Sequence, residues 1–166
     1  MKQNNFFRVL TVILIAVLML GCMSAPAYAA VTKKEAQKIA RQYVPAKSKL
    51  VETEWSKKSK TWEFEFLTQN KKQEYEVTVA KATGKVKKVE MELRNVRKAT
   101  KYSIKKAAAK EALLAAFPDA ANITIKKVTD EGSKIYKITF TTSEYKGEVK
   151  VHGETGKIIE WEKKYK

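Results

Sequence analysis

EVTVAKATGKV at residues 76–86 is repeated 72 positions later as EVKVHGETGKI at residues 148–158. In both copies apolar and polar side chains alternate before Thr-Gly-Lys, which predicts a strand leading into a tight turn. Gly84 and Gly156 are expected to supply the positive φ that such a turn requires. Upstream and downstream residues match at the same offset: Phe64 with Tyr136, Phe66 with Ile138, and Val89 with Trp161. We conclude that the chain contains two copies of one structural unit.

Each unit begins with a predicted helix. In the first unit Thr32 is placed to cap the helix, and Glu35, three residues later, completes a capping box. An apolar stripe follows at helical spacing, and Pro45 ends it. In the second unit Ser103 is the predicted cap of an alanine-rich helix over residues 107–116, where helix propensity is high.

Four alternating segments follow each helix, with apolar side chains on one face and mostly charged side chains on the other. This period of two predicts an antiparallel sheet that is half buried. Val86 and Ile158 fall out of phase with the strands that follow them, which predicts a bulge or a late strand start at each. We therefore expect an α+β fold of two tandem units, 31–95 and 100–166, each with one helix packed on a four-stranded antiparallel sheet.

Residues 1–29 have the order of a secretory signal peptide: a short basic start, an apolar run at 9–20 and a small-residue box ending at Ala29. The run is shorter than a bilayer span needs, so an uncleaved anchor is disfavoured. Cys22 follows a glycine just after the run, so lipoprotein processing at Cys22 stays as an alternative to cleavage after Ala29. Either route predicts an exported protein, secreted or held at the cell envelope.

The chain is strongly basic, with 34 Lys and Arg residues against 18 Asp and Glu. Removing Lys2 and Arg8 with the signal leaves 32 basic residues and a net charge of +14. Such a field attracts anionic wall polymers, phospholipid surfaces or acidic proteins, and nucleic acid is not an expected partner of an exported chain. Cys22 is the only cysteine, so the folded part forms no disulfide.

Five stretches together resemble the PepSY domain family, in two tandem copies. They are the capped helix 32–40, the aromatic strand 62–66 and the Tyr-Glu-Val-x-Val to Thr-Gly-Lys-Val stretch 75–86, with 136–140 and 148–158 in the second copy. The resemblance implies a helix on an antiparallel sheet and no catalysis. It also implies binding or restraint of peptidases, because PepSY domains occur in propeptides of secreted metallopeptidases and in bacterial envelope proteins. The second copy departs from the family pattern in its Ala- and Leu-rich helix and in its His-Gly pair.

Residues suited to catalysis are scarce. His152 is the only histidine and is predicted to be an exposed residue at a strand end, so neither a histidine-based triad nor a multi-histidine metal site can form. The many carboxylates alternate along strands without the apolar setting that raises a carboxyl pKa. We expect no enzyme, no catalytic residue and no cofactor.

Charge is segregated along the chain. Glutamates on the strands of the first unit share the polar face, and four of them are the candidate site for a basic partner or a divalent cation such as Ca²⁺: Glu63, Glu65, Glu74 and Glu76. The junction between the units is basic, and its cations are the candidate contact to an anionic surface: Arg94, Arg97, Lys98, Lys101, Lys105 and Lys106. An ordinary solvated surface is the simpler alternative for both sets.

Two functions fit these features. The first is a non-catalytic binding or regulatory module of the cell envelope, with a secreted peptidase as the partner that the family resemblance implies. The second is an electrostatic binder of anionic wall polymer or membrane surface that has no specific protein partner.

Overall fold

The computed structural model describes residues 30–166, so the predicted signal peptide and Cys22 lie outside the described residues. In chain order the elements are α1 (Lys33–Ala40), a 3-10 turn (Arg41–Tyr43), β1 (Lys49–Ser56), β2 (Thr61–Leu67), β3 (Gln73–Ala80), β4 (Val86–Leu93), α2 (Lys106–Ala116), β5 (Ala121–Asp130), β6 (Ser133–Thr141), β7 (Tyr145–His152) and β8 (Ile158–Tyr165). Each half of the described chain therefore contributes one helix and four strands, as the repeat predicts.

The eight strands form one antiparallel sheet in the order β1-β2-β3-β4-β8-β7-β6-β5. The α+β class is confirmed, but the prediction of two separate four-stranded sheets was wrong. In two separate sheets β4 and β8 would each be an edge strand with a row of unpaired backbone N–H and C=O groups. Pairing β4 with β8 satisfies those groups and joins the two halves into one sheet.

The pairing of β4 with β8, which we call the seam, is nearly symmetrical. It joins 88–92 to 160–164, and at its centre Glu90 lies opposite Glu162. These two glutamates are equivalent positions of the 72-residue repeat. The two halves are thus related as the subunits of a twofold symmetric dimer would be, with the same strand of each unit meeting its counterpart.

Both helices pack on one side of the sheet. α1 lies on β2 and β3, and α2 lies on β6 and β7. In the first half Ala36 and Ala40 pack on a core that includes the fully buried Phe64 and Phe66. Burial of one such aromatic side chain contributes roughly 1.5–3 kcal/mol. Trp161 packs against the cores of both halves and so links them across the seam.

Two local predictions for the first half and the turns are confirmed. The backbone N–H of Thr32 donates to the Glu35 carboxylate at 2.7 Å, and the N–H of Glu35 donates to Thr32 Oγ1 at 3.3 Å, which completes the capping box. Gly84 and Gly156 have φ values of 68° and 73°. These are left-handed conformations that glycine adopts without strain.

Three register shifts occur in the strands described next, of which two were predicted from the sequence and one was not. The register shifts next to Val86 and next to Ile158, so of the two predicted alternatives the bulge is the one observed. A further bulge lies between Leu50 and Glu52 in β1. It turns Val51 outward, where 47% of this residue is exposed, and Leu50 packs on the core in its place.

The prediction that Ser103 caps the second helix was wrong. α2 begins at Lys106, and Lys105 at its cap position makes no side-chain capping bond. The N–H groups of Ser103 and Ile104 both donate to the carbonyl oxygen of Gly153, at 2.9 and 3.2 Å. These bonds hold the chain in an extended path until the helix starts.

The linker between β4 and α2 is bound to the second half of the molecule. Ala99 is fully buried, its N–H donates to Ser133 Oγ at 3.0 Å, and its carbonyl accepts from the N–H of Lys134 at 2.8 Å. The Glu154 carboxylate accepts from the N–H and the hydroxyl of Thr100 at 2.7 and 2.9 Å. These bonds lower the pKa of Glu154 to about 2. We call this set of contacts the linker latch.

His152 belongs to the linker latch, so the prediction of an exposed histidine was wrong. Only 4% of it is exposed. Its Nε2 lies 2.8 Å from the carbonyl oxygen of Arg97, and its Nδ1 accepts from the N–H of Thr155 at 3.2 Å. The neighbouring Gly153 lets the linker approach, because a Cβ there would lie 2.5 Å from the Lys134 carbonyl oxygen. The His-Gly pair that departs from the repeat is thus the place where the linker docks.

Gly153→Ala is expected to destabilise the protein by about 1–3 kcal/mol, because the added methyl meets rigid backbone rather than a flexible side chain. Urea unfolding of residues 30–166 measures the change through its midpoint. Lys81→Ala is the matched control, since Lys81 is the equivalent position of the first half and already carries a side chain. Equal midpoints for wild type and Gly153→Ala would show that the latch does not need the close approach.

Candidate functional site

The two faces of the sheet differ in what covers them. The helices and the apolar core occupy one face, and no described helix packs on the other. We call the uncovered side the open face. Because side chains alternate along each strand, the polar residues predicted to point away from the core all lie there.

A row of glutamates crosses the open face. Six of them lie directly opposite one another on neighbouring strands, in the order Glu52, Glu65, Glu76, Glu90, Glu162 and Glu148. Neighbouring strands are about 4.8 Å apart, so each carboxylate faces like charges at short range. Like charges directly opposite destabilise a sheet. This glutamate row therefore breaks a rule of local stability, as functional sites often do.

The row borders a hollow at the end formed by β1, β2 and β3. A hollow of about 190 Å³ is lined by five glutamates and no other residue: Glu52, Glu54, Glu63, Glu65 and Glu76. Burial raises the pKa of Glu65, and the charges of Glu74, Glu52 and Glu76 raise it further. Three of the four predicted site residues thus line one hollow, and Glu74 lies outside it with its carboxylate 3.6 Å from Arg94 Nε.

Lysines compensate part of the row. Lys88 Nζ lies 2.7 Å from the Glu76 carboxylate and 3.0 Å from that of Glu90. Burial alone would lower the pKa of Lys88, but the hydrogen bonds to these two glutamates raise it overall. Glu148 and Glu162 are paired with other lysines of the second half. Within residues 30–166 Glu52 and Glu65 have no such ion pair, so the uncompensated negative charge is concentrated at the hollow.

Metal binding finds no support in the arrangement of the carboxylates. In the part of the chain that the structure describes, no three or more His, Cys, Asp or Glu side chains are grouped so that they could hold a metal ion. Both ligands predicted for the acidic face, a basic partner and a divalent cation such as Ca²⁺, stay predictions.

The basic junction is divided between two environments. Arg94, Arg97 and Lys98 line a groove of about 580 Å³ together with carboxylates from both halves: Glu90, Glu92, Asp130, Glu131 and Glu160. Lys101, Lys105 and Lys106 are exposed further along the linker and do not line that groove. The six predicted cations are therefore not gathered in one groove.

Sequence reasoning missed four of the six members of the glutamate row. It named Glu65 and Glu76 as site residues but not Glu52, Glu90, Glu148 and Glu162. The periodicity places each of these glutamates on the polar face. Their alignment depends on strand order and register, which periodicity does not determine.

A helix on four antiparallel strands, occurring twice with a Thr-Gly-Lys turn before the last strand of each copy, defines a small α+β module in tandem. The chain belongs to the PepSY family, described as "Peptidase propeptide and YPEB domain", which it matches at residues 30–90 and 103–162. The two tandem copies inferred from the repeat are thereby confirmed.

Three solved structures are similar to the chain. One is a candidate lipoprotein from Clostridium difficile, at 16% identity and a TM-score of 0.33, covering 86% of this chain and 98% of the other. Another is a BLIP-like protein from Bacteroides fragilis, at 16% identity and a TM-score of 0.32, where the match covers 78% of this chain and 84% of the other. A third is a cysteine-rich secretory protein from Staphylococcus aureus, at 10% identity and a TM-score of 0.39, where the match covers 84% of this chain and 45% of the other. At such scores the likenesses carry no argument about function.

No curated protein matches the chain. Among residues 30–166, no helix combines the length and the apolar character that a membrane span requires.

Glu65→Gln is expected to raise the melting temperature at pH 7. A raised pKa means that the folded state binds the proton more tightly than the unfolded chain, so ionisation of Glu65 lowers the free energy of unfolding. That penalty is present at neutral pH and disappears as the pH falls through the folded-state pKa. The difference between variant and wild type should therefore shrink toward about pH 4.

Thermal unfolding at a series of pH values measures this difference. Glu111→Gln is the control, because it removes one exposed carboxylate from α2, away from the open face. A Glu65→Gln variant that is less stable than wild type at pH 7 would contradict the account of repulsion in the hollow.

Proposed function

We propose that this chain is an exported, non-catalytic binding module of the cell envelope that holds a basic segment of a partner protein on its open face. The single observation that carries the proposal is the glutamate row. Facing carboxylates weaken the sheet when the protein is alone. Their presence is explained if a cationic partner neutralises them in the complex.

The location of uncompensated charge supports the same proposal. The hollow at the β1–β3 end is lined by carboxylates alone and includes Glu52 and Glu65, which have no cation partner among the described residues. A lysine or arginine of a partner would enter a site where it meets several carboxylates at once. Because the rest of the molecule is strongly basic, this negative face would also orient the partner as it approaches.

Membership of the PepSY family suggests the class of partner. The family takes part of its description from peptidase propeptides, so a secreted peptidase is the partner we propose to test first. Modulation of such a peptidase would follow from occupying a surface that its substrate also needs. The signal-like N-terminus supports a meeting of the two proteins outside the cytoplasm.

A second candidate function is electrostatic adhesion to anionic wall polymer or membrane. The exposed Lys101, Lys105 and Lys106, near the start of α2, favour it, together with the net charge of the mature chain. Adhesion of this kind needs no open face, and it weakens steeply as ionic strength rises. A packed protein interface should persist under the same conditions.

Residues 30–166, immobilised and exposed to envelope and secreted proteins, should retain one protein through washes at about 0.5 M salt, where surface attractions are screened. Mass spectrometry identifies the retained protein. Neutralising three glutamates of the hollow should remove most of it, in the variant Glu52→Gln, Glu65→Gln, Glu76→Gln.

The matched control neutralises three exposed acids away from the open face, Glu111→Gln, Asp119→Asn and Glu144→Gln, and should bind as wild type does. If both triple variants retain the protein equally, the open face is not the docking surface. If every bound protein elutes with salt and only anionic polymer was captured, the adhesion function replaces the one proposed.

A further inference from the structure

The seam differs from every other strand pairing in the sheet because its two strands are far apart in the chain. The other six pairings join strands that are consecutive in the chain, such as β3 with β4 and β7 with β8. A short connection keeps such strands together even when their bonds open. β4 and β8 are instead separated in the chain by the linker, α2 and three strands, so the seam depends on its own contacts and on the linker latch.

Like charges face each other at every position of the seam that points to the open face. The facing pairs on the open face are Lys88 with Lys164, Glu90 with Glu162, and Glu92 with Glu160. This arrangement is not a consequence of the repeat. Lys88 is equivalent to Glu160, and Glu92 to Lys164, so two identical copies would place a lysine opposite a glutamate at both outer positions.

Within the described chain, ion pairs form along each side of the seam and not across it, and Lys150 of β7 pairs with Glu160 at 2.8 Å. Lys88 pairs with Glu76 and Glu90, on its own side, and Lys164 pairs with Glu162, on its own strand. Across residues 30–166 no ion pair joins β4 to β8. Burial raises the pKa of Glu92, and Glu160 across the seam adds to the effect.

The helix side of the seam is also unusual, because it contains a charge. Lys163 lies opposite Val89, with its Nζ 5.0 to 5.2 Å from the ring centroids of Tyr145, Trp161 and Phe117. Burial lowers the pKa of Lys163. Packing that closes the seam comes from Met91 against Trp161 and from two edge-to-face aromatic pairs, Tyr75 with Trp161 and Tyr43 with Tyr165.

We propose that the seam is a charge-gated joint, along which the two halves part more readily when the like charges facing across it are unscreened. Backbone bonds and aromatic packing close the joint, while three facing like-charged pairs oppose closure. Parting exposes the edges of β4 and β8, and each exposed edge can accept a strand from another protein. The joint is a property of the fold and is independent of what the open face binds.

Hydrogen–deuterium exchange on residues 30–166 tests the joint. Lowering the ionic strength from about 0.5 M to about 0.02 M lengthens the screening distance several-fold. Exchange should then become faster at 88–92 and 160–164, while the β6–β7 ladder, which has its own cross-strand ion pair between Lys137 and Glu148, changes less.

A charge swap tests the cause. Glu92→Lys places a lysine opposite Glu160 and should slow seam exchange about two- to five-fold at low salt, the range expected for one facing pair. Lys164→Glu does the same opposite Lys88 and is a second route, since the Lys164 side chain is mostly exposed. Glu54→Lys makes an equal change in the like-charged pair Glu54–Glu63, away from the seam, and should leave seam exchange unaltered.

Two results together would overturn the proposal. If seam amides show the same salt dependence as the β6–β7 ladder and neither Glu92→Lys nor Lys164→Glu slows them, the seam is an ordinary closed ladder.

Discussion

Backbone pairing between β4 and β8 is the interaction on which the remaining architecture depends. It turns two half-sheets into one continuous sheet, so both helices lie on one side and one uninterrupted face is left on the other. The glutamate row exists at its full length only because of this pairing: four of its members belong to the first half and two to the second. The feature that suggests a binding surface is therefore a property of the joined molecule.

The two halves have become specialised around their junction. The linker docks on the second half, where His152 bonds to its backbone and Gly153 leaves room for it. At the equivalent positions the first half has Ala80 and Lys81, and the carbonyl oxygen of Lys81 accepts from the N–H of Val31 at 2.8 Å. The backbone bond to this position is thus common to both halves, whereas the bond from the His152 ring to Arg97 depends on a residue that the first half lacks.

Much of the fold could be predicted from the sequence, because the predictable parts depend on local chemistry. The Thr32–Glu35 capping box, the Gly84 and Gly156 turns and the alternating strands each follow from a few neighbouring residues. Ser103 and His152 were misassigned because their partners lie far along the chain, at Gly153 and Arg97. The seam and the alignment of the glutamates escaped prediction for the same reason, since both depend on strand order.

β8 is the last strand of the sheet in sequence, yet it lies at the centre of the sheet between β4 and β7. A chain synthesised from its N-terminus completes β1 to β4 well before β8 exists, so the edge of β4 waits without its partner. During that interval the nascent first half presents a free strand edge to any neighbour, including another nascent copy. The sheet is therefore complete only when the last strand in sequence has paired with the first half.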